Sequence, residues 1–454
     1  MTKFIIPGAF ALALLAAWPH AQQPPASQAP ASQQPSELST TISGEGGVAP
    51  RLAVPDFIAL STDAETVATA KTIGQVLWDD LNYEREFAFI PRDVYASIPK
   101  ATSFADVAFD RWRELNADGL VVGTVGKLSS GFHVELRLYN VRTRQSAFGR
   151  SYDGSNARLL AHTIADELHK SQRALNGLAR SKLTFDSDRD GERMTGTVQN
   201  RSIKEIYISD YDGENQRRVT VVKNLSIAPR WSPDGRGIAY TSYLHGGANI
   251  FISNIFQGTK DEVTKGDKVG ENWLPAWSPD GTKLAFTSTR DGNPEIYIVN
   301  RDGSGLRRIT NNPSIDITPT WNPSGTQIAF TSDRGGSPQI YVVGIDGLNL
   351  SKKTSESYCD RPTWSPAPFN EIAFASRSGP GFDIRVLDLS TGTTKTLTFG
   401  EGTNESPAFS PNGRHLVFTS TRAGKTQVFT MARDGKNVRQ ITKAGNNYEP
   451  DWSK

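Results

Sequence analysis

Residues 275–288 read Pro275-Ala276-Trp277-Ser278-Pro279-Asp280-Gly281-Thr282-Lys283-Leu284-Ala285-Phe286-Thr287-Ser288. A Pro-x-Trp, a Ser-Pro with an Asp-Gly turn and a short apolar strand follow one another without a gap. The same order returns around it. Pro229-Arg230-Trp231, Pro319-Thr320-Trp321, Pro362-Thr363-Trp364, Pro407-Ala408-Phe409 and Pro450-Asp451-Trp452 complete a set whose prolines are 46, 44, 43, 45 and 43 residues apart. A second strand start recurs at Ile206, Ile250, Ile296, Ile340, Ile384 and Val428, spaced by 44, 46, 44, 44 and 44 residues. Each unit holds about four short strands joined by Asn, Asp and Gly turns, the pattern of hairpins in series. A unit of that size cannot close its own apolar faces, and radial stacking buries them, as in a β-propeller. Five of the nine tryptophans occupy one repeat position, which supplies an aromatic core between blades.

The ends of the array are complementary. The first unit begins at Leu183-Thr184-Phe185 with no Pro-x-Trp before it, and the sequence stops at Pro450-Asp451-Trp452-Ser453-Lys454 with no strand after it. Joined, they make one blade. The expected fold is a six-bladed β-propeller closed by the C-terminal strand, which removes exposed sheet edges. An α/β N-terminal domain precedes it. The expected boundaries are residues 1–21 for a signal peptide, 22–47 for a tether and extended segment, 48–180 for the α/β domain and 181–454 for the propeller.

Lys3 precedes an apolar run over residues 4–17, about 21 Å as a helix and shorter than the roughly 30 Å hydrocarbon core. A cationic start, a short apolar stretch and small residues after it read as a secretory signal, so the protein is expected to be exported. Residues 22–36 contain only Gln, Pro, Ala and Ser. Such a composition cannot offset ordering entropy, and a flexible, partly polyproline-like spacer is expected. After it, Leu38 and Ile42 alternate with Ser and Thr, a pattern suited to adding a strand to a partner's sheet edge.

In the N-terminal domain, residues 51–57 read as a strand. Thr62 and Glu65 form a capping box for a helix with Val67, Ala70, Leu77 and Leu81 on one face. A short strand over 87–90 follows, then a helix opened by Ser103 and Asp106 that carries Phe104, Val107, Trp112 and Leu115. Residues 119–125 are strand-like. Phe132, Val134, Leu136 and Leu138 alternate with polar neighbours, as in a half-exposed antiparallel strand. A last helix covers 156–175.

Fifty Lys+Arg against 48 Asp+Glu give no concentrated basic face for nucleic acid. The single cysteine, Cys359, excludes a disulfide framework and a Cys-based zinc site, and its place before a strand reads as structural. Asp186-Ser187-Asp188-Arg189-Asp190-Gly191 resembles half a calcium loop, but the position of the closing Glu is Thr197, so it reads as an acidic repeat hairpin. His162, Asp166 and His169 share a helix with the two histidines about 10 Å apart along the axis, which reads as a solvated stripe rather than a metal site. No nucleophile elbow, His-Glu-x-x-His or phosphate loop is present. No cofactor, no metal and no catalytic residue are expected. What remains is the propeller mouth. The residues before each Pro-x-Trp enter the innermost strand and are expected to crowd around the channel: Asn272, Trp273, Leu274, Asp316, Ile317, Asp360, Arg361, Asn404, Glu405, Tyr448 and Glu449. Polar groups interspersed with aromatics on a concave rim suit protein recognition.

The chain resembles the TolB family of the Tol–Pal system of Gram-negative envelopes. The repeat Ala276-Trp277-Ser278-Pro279-Asp280-Gly281 carries part of the resemblance but is shared with peptidase propellers. Ser209-Asp210-Tyr211-Asp212-Gly213-Glu214-Asn215-Gln216, the Val54-Pro55-Asp56-Phe57 opening and Gly119-Leu120-Val121-Val122-Gly123-Thr124-Val125 are more specific. The resemblance implies a periplasmic, monomeric, non-catalytic scaffold without membrane insertion. It implies that the propeller mouth receives a Pal-like peptidoglycan-associated lipoprotein and that the N-terminal segment contacts a TolA-like inner-membrane protein, in support of outer-membrane invagination at division and envelope integrity. The sequence departs from the family in its longer Pro/Gln-rich spacer and in the first blade, where 21 positions separate Phe185 from Ile206 against ten elsewhere. The competing class is a propeller-type hydrolase, carbohydrate lyase or carbohydrate-binding protein. A peptidase would need a further catalytic domain, and a lyase a histidine cluster at the channel, whereas His245 and His415 fall at unrelated repeat positions.

Overall fold

A computed structural model describes residues 41–43, 48–194, 201–264 and 270–454. The signal and spacer expected over residues 1–36, and Leu38, lie outside the described residues.

The N-terminal domain contains β1 (Arg51–Ala53), β2 (Ile58–Ala59), α1 (Ala64–Glu84), β3 (Ala88–Phe89), α2 (Phe109–Glu114), β4 (Gly119–Leu128), β5 (Gly131–Asn140), β6 (Ser146–Gly154) and α3 (Ala157–Arg173). The sheet runs β3-β1-β4-β5-β6, with β2 also on β4. Parallel pairs at β1–β3 and β1–β4 give way to antiparallel pairs at β4–β5 and β5–β6. Both faces are covered. Val121, Val125, Leu136 and Leu138 pack with Ile73 and Leu77 of α1 and Ile164 and Leu168 of α3, while Leu120, Val122 and Tyr139 pack with Trp112 of α2.

Three local expectations are corrected. The cap of α1 is Asp63, whose Oδ1 accepts from Thr66 N at 3.0 Å, so Thr62 lies one residue before the cap. Thr66, Ala70, Ile73 and Leu77 form the buried face, and Val67 is 48% exposed. Ser103 and Asp106 do not open a helix. The Asp106 carboxylate accepts from the backbone N–H groups of Thr102 and Ser103 at 2.9 and 2.8 Å, which closes a turn, and α2 starts only at Phe109. Such side-chain bonds compete with the helical ladder.

Six four-stranded sheets follow. The third blade is typical: Asn272–Trp277, Lys283–Ser288, Glu295–Asn300 and Arg307–Arg308, antiparallel throughout. In the first blade the innermost strand is Asn447–Trp452, which pairs antiparallel with Lys182–Ser187 and closes the ring with Trp452 opposite Leu183. Between blades, Trp277 Nε1 donates to the Arg230 carbonyl at 3.1 Å and Trp321 Nε1 to the Ala276 carbonyl at 3.0 Å. In these two blades the indole packs one blade on the next and satisfies a carbonyl there, whereas Trp452 Nε1 donates to Ser181 Oγ at 2.6 Å.

The N-terminal domain rests on the sixth and first blades. The His415 ring stacks on Tyr83 with centroids 4.4 Å apart, Tyr211 Oη donates to Asp80 Oδ1 at 2.8 Å, and Asn412 Nδ2 donates to the Asn176 carbonyl at 3.1 Å. Asn412 lies in the turn that follows an innermost strand. The domain therefore covers the face where innermost strands end, and the face where they begin is the far one.

Candidate functional site: the distal mouth of the propeller

Each innermost strand carries the same irregularity. Its register shifts two residues after its start. The residue before the proline has a positive φ in all six: Ala228 53°, Leu274 58°, Thr318 54°, Arg361 54°, Ser406 53° and Glu449 47°. None is glycine. Left-handed backbone at such residues costs of order 1–3 kcal/mol each and persists where the surroundings over-determine it, and bulges of this kind re-aim side chains. Leu274, Thr318, Arg361 and Ser406 line an axial cavity of about 470 Å³ that continues past Arg230 and Asp451 to the indoles and Ser-Pro turns.

The sequence-derived candidates sort by strand position. Asn272, Asp316 and Asn404 are the first residues of their strands and are at most 1% exposed. They do not face the mouth, and the expectation is corrected. Arg290 Nη2 donates to Asn272 Oδ1 at 2.9 Å and its Nε to Ser288 Oγ at 3.1 Å, with the guanidinium over Phe286 and Tyr297. Arg334 and Arg422 hold Asp316 and Asn404 in the same way, and Arg189 holds Asn447. The clamp braces the hairpin beneath the strand start in these four blades. Its signal was legible as the recurring Ser-x-Arg (Ser187-Asp188-Arg189, Ser288-Thr289-Arg290, Ser332-Asp333-Arg334, Ser420-Thr421-Arg422), which the Pro-x-Trp reading passed over. Cys359 takes the strand-start position in the fifth blade, fully buried, with burial pushing its thiol up to about 12.

Trp273, Leu274, Ile317, Asp360, Arg361, Glu405, Tyr448 and Glu449 are all half-buried at the distal mouth. Asp360 Oδ1 accepts from Thr331 Oγ1 at 2.9 Å and from Arg361 N at 2.7 Å. Arg361 reaches from the fifth blade to the Glu449 carboxylate of the first. Burial opposes the Arg361 charge, but the carboxylates of Glu449 and Asp360 outweigh it and raise its pKa further. Burial raises the Glu405 carboxyl, with Arg361 acting in the opposite direction.

Other candidates disperse. Ile42 is 1% exposed, and its N–H donates to Gln172 Oε1 at 2.9 Å, so it anchors the segment to its own domain and does not present a free strand. Asp186, Asp188 and Asp190 do not converge. Asp188 caps Asn446, Asp190 accepts from Tyr207 and Arg218, and Asp186 faces Lys204 at 3.1 Å. His162 and His169 are not a solvated stripe, at 2% and 1% exposed. His162 Nδ1 pairs with Asp80 Oδ2 at 2.8 Å, and burial pushes His169 down to about 4. The docked propeller covers the face that the isolated helix pattern leaves polar. Among the described residues no three His, Cys, Asp or Glu side chains are grouped to hold a metal, and no helix is long and apolar enough to cross a membrane.

Fold and site together define a two-domain propeller protein with a ring of re-aimed side chains near the start of its innermost strands and an axial cavity running from that ring towards the Ser-Pro turns. Comparison with known proteins agrees with the fold. A family profile described as "TolB beta propeller domain" matches residues 193–454, and one described as "TolB amino-terminal domain" matches residues 38–147. The chain is 33% identical over 228 residues to the Tol-Pal system protein TolB of Desulfosudis oleivorans, covering 49% of this chain and 50% of that one. It is 32% identical over 447 residues to the Tol-Pal system protein TolB of Bordetella avium, covering 97% and 93%. The crystal structure of TolB from Acinetobacter baumannii superposes with a TM-score of 0.75 at 26% identity over 89% of this chain and 97% of that one. The chain belongs to the TolB family.

Proposed function

We propose that this chain is a non-catalytic periplasmic scaffold of the Tol–Pal system. Its distal mouth receives a Pal-like peptidoglycan-associated lipoprotein, and the segment before Ile42, with Leu38, contacts a TolA-like inner-membrane protein. The protein thereby links the two membranes during outer-membrane invagination at division and supports envelope integrity. Relatives matched over nearly the whole chain carry the name Tol-Pal system protein TolB, which supports the system. The observation that carries the site is the ring of six left-handed, non-glycine residues at one mouth. Strain repeated six times at one level of a channel, beside half-buried Trp273, Ile317 and Tyr448, fits a surface built to be covered. The α/β domain occupies the opposite face and leaves that mouth accessible.

A photo-crosslinking residue placed at Ile317 in the living cell tests the reading. A Pal-like lipoprotein captured there, and not from Val221, which is 64% exposed, is the expected result. Equal capture from both positions, or none from Ile317, would refute it.

A further inference from the structure

The distal mouth is not uniform around its circumference. Its second, third and fourth blades contribute Ile227, Trp273, Leu274 and Ile317. The fifth, sixth and first contribute Asp360, Glu405 and Glu449, with Asp186 directly behind. We propose, building on the reading of this mouth as a partner site, that it recognises a protein segment presenting an apolar side chain beside a lysine or arginine. The apolar group seats on the Trp273 side and the cation on Glu405 and its neighbours.

The charge balance carries the argument. The acidic half holds four carboxylates against three cations, Arg361, Lys204 and, from the adjoining second blade, Arg230, whose Nη1 donates to the Pro229 and Glu449 carbonyls at 2.8 and 3.4 Å, and all three are committed. Arg361 is paired with Glu449 Oε1. Lys204 Nζ lies 3.1 Å from Asp186 Oδ2 and 3.4 Å from the centre of the Tyr448 ring. The remaining oxygens are poorly matched. Glu449 Oε2 is buried without a hydrogen-bond partner, and Asp186, whose carboxylate also takes a backbone hydrogen bond at Ala228, stands where four other blades place Thr241, Thr287, Thr331 and Thr419. The Glu405 carboxylate has no hydrogen bond among the described residues, whereas its own carbonyl accepts from Thr419 Oγ1 at 3.0 Å. Desolvating an unpaired carboxylate costs several kcal/mol, so an apolar partner covering Glu405 would bind poorly and an anionic one worse. A guanidinium or ammonium offsets that cost, and charge-assisted bonds of this kind are about twice as strong as neutral ones. The carboxylates here are not grouped to chelate a metal, which favours an organic cation. The apolar half then supplies the desolvated anchor that hot spots need.

The test uses the full mature chain and the soluble Pal-like domain of the same bacterium in calorimetric titrations with a chelator present, comparing wild type, Glu405→Gln and Trp273→Ala at low and high salt. Melting curves identify folded variants. The inference predicts that Glu405→Gln weakens binding about tenfold and flattens its salt dependence, and that changing one partner Lys or Arg to Met has no further effect in the Glu405→Gln background. If Trp273→Ala weakens binding while Glu405→Gln leaves affinity and salt slope unchanged, the mouth remains the site and the cation inference is overturned. Affinity restored only by added calcium would likewise overturn it, in favour of a metal. If neither variant changes affinity, the reading of the mouth itself fails. A Glu405→Gln variant that does not fold is replaced by Glu405→Asp, for which the inference predicts an affinity between wild type and zero and a retained salt slope; unchanged affinity would overturn it.

Discussion

Glu84, in the last turn of α1, lies buried at the seam between domains with 7% exposure. Its Oε1 accepts from Leu178 N at 2.6 Å and its Oε2 from Asn412 Nδ2 at 3.4 Å. Burial pushes its carboxyl up to about 8, with Asp166 adding to the rise and the Leu178 amide, Arg414 and Asn412 opposing it. The folded protein therefore keeps a proton that the unfolded chain releases above its ordinary value of 4.5. Stability associated with this group is complete below pH 4.5 and is lost as pH rises towards 8. Two and a half units at 1.36 kcal/mol each put the loss at about 3 kcal/mol by pH 7. Glu84→Gln removes the titration and keeps the shape, and its oxygen can still accept from Leu178. Urea unfolding of both proteins at pH 4.5, 6, 7 and 8 should show the variant gaining on wild type by about 3 kcal/mol between pH 4.5 and 7. A difference independent of pH would mean that Glu84 is ionised in the fold, and the reasoning would be refuted.

His415 is 2% exposed, and burial pushes it down to about 4, with its bond to the Tyr83 carbonyl opposing and Arg414 assisting. Its folded value lies below the unfolded one, so stability falls as pH drops from about 6.5 towards 4, and His415→Phe should flatten that limb of the wild-type profile in the same unfolding series. Trp277→Ala should cost about 3–5 kcal/mol by leaving a cavity between blades, read as a lower urea midpoint. Replacing Arg290 with Met should destabilise by about 1–3 kcal/mol, because Asn272 and Ser288 lose a charged donor; a melting temperature equal to wild type would show that the clamp is dispensable.

The propeller was legible because its signal is periodic: six prolines and five indoles in one phase leave little freedom in strand number or closure. The N-terminal helices were legible where apolar spacing decided them, as in α3, and misread where a single Asp outcompeted the pattern, as at Asp63 and Asp106. The site was legible in part. Counting back from Pro-x-Trp reaches the right strand ends, but alternation assumes a regular strand, and the bulge at Leu274 and its equivalents breaks it. Asn272, Asp316 and Asn404 therefore turn into the blade while their neighbours two residues on turn into the channel. The burial of His162 and Ile42 could not be read from their own segments, because the surfaces that cover them come from residues far away in sequence.

The central claim is that the distal mouth captures a Pal-like partner. Calorimetric titration of a soluble Pal-like domain into the full mature chain and its Trp273→Ala variant, with melting curves alongside, tests it most directly. The account predicts affinity lower by about 2 kcal/mol or more, a typical hot-spot loss, at an unchanged melting temperature. Equal affinity of a folded Trp273→Ala protein and wild type would contradict it and move the partner surface away from the channel.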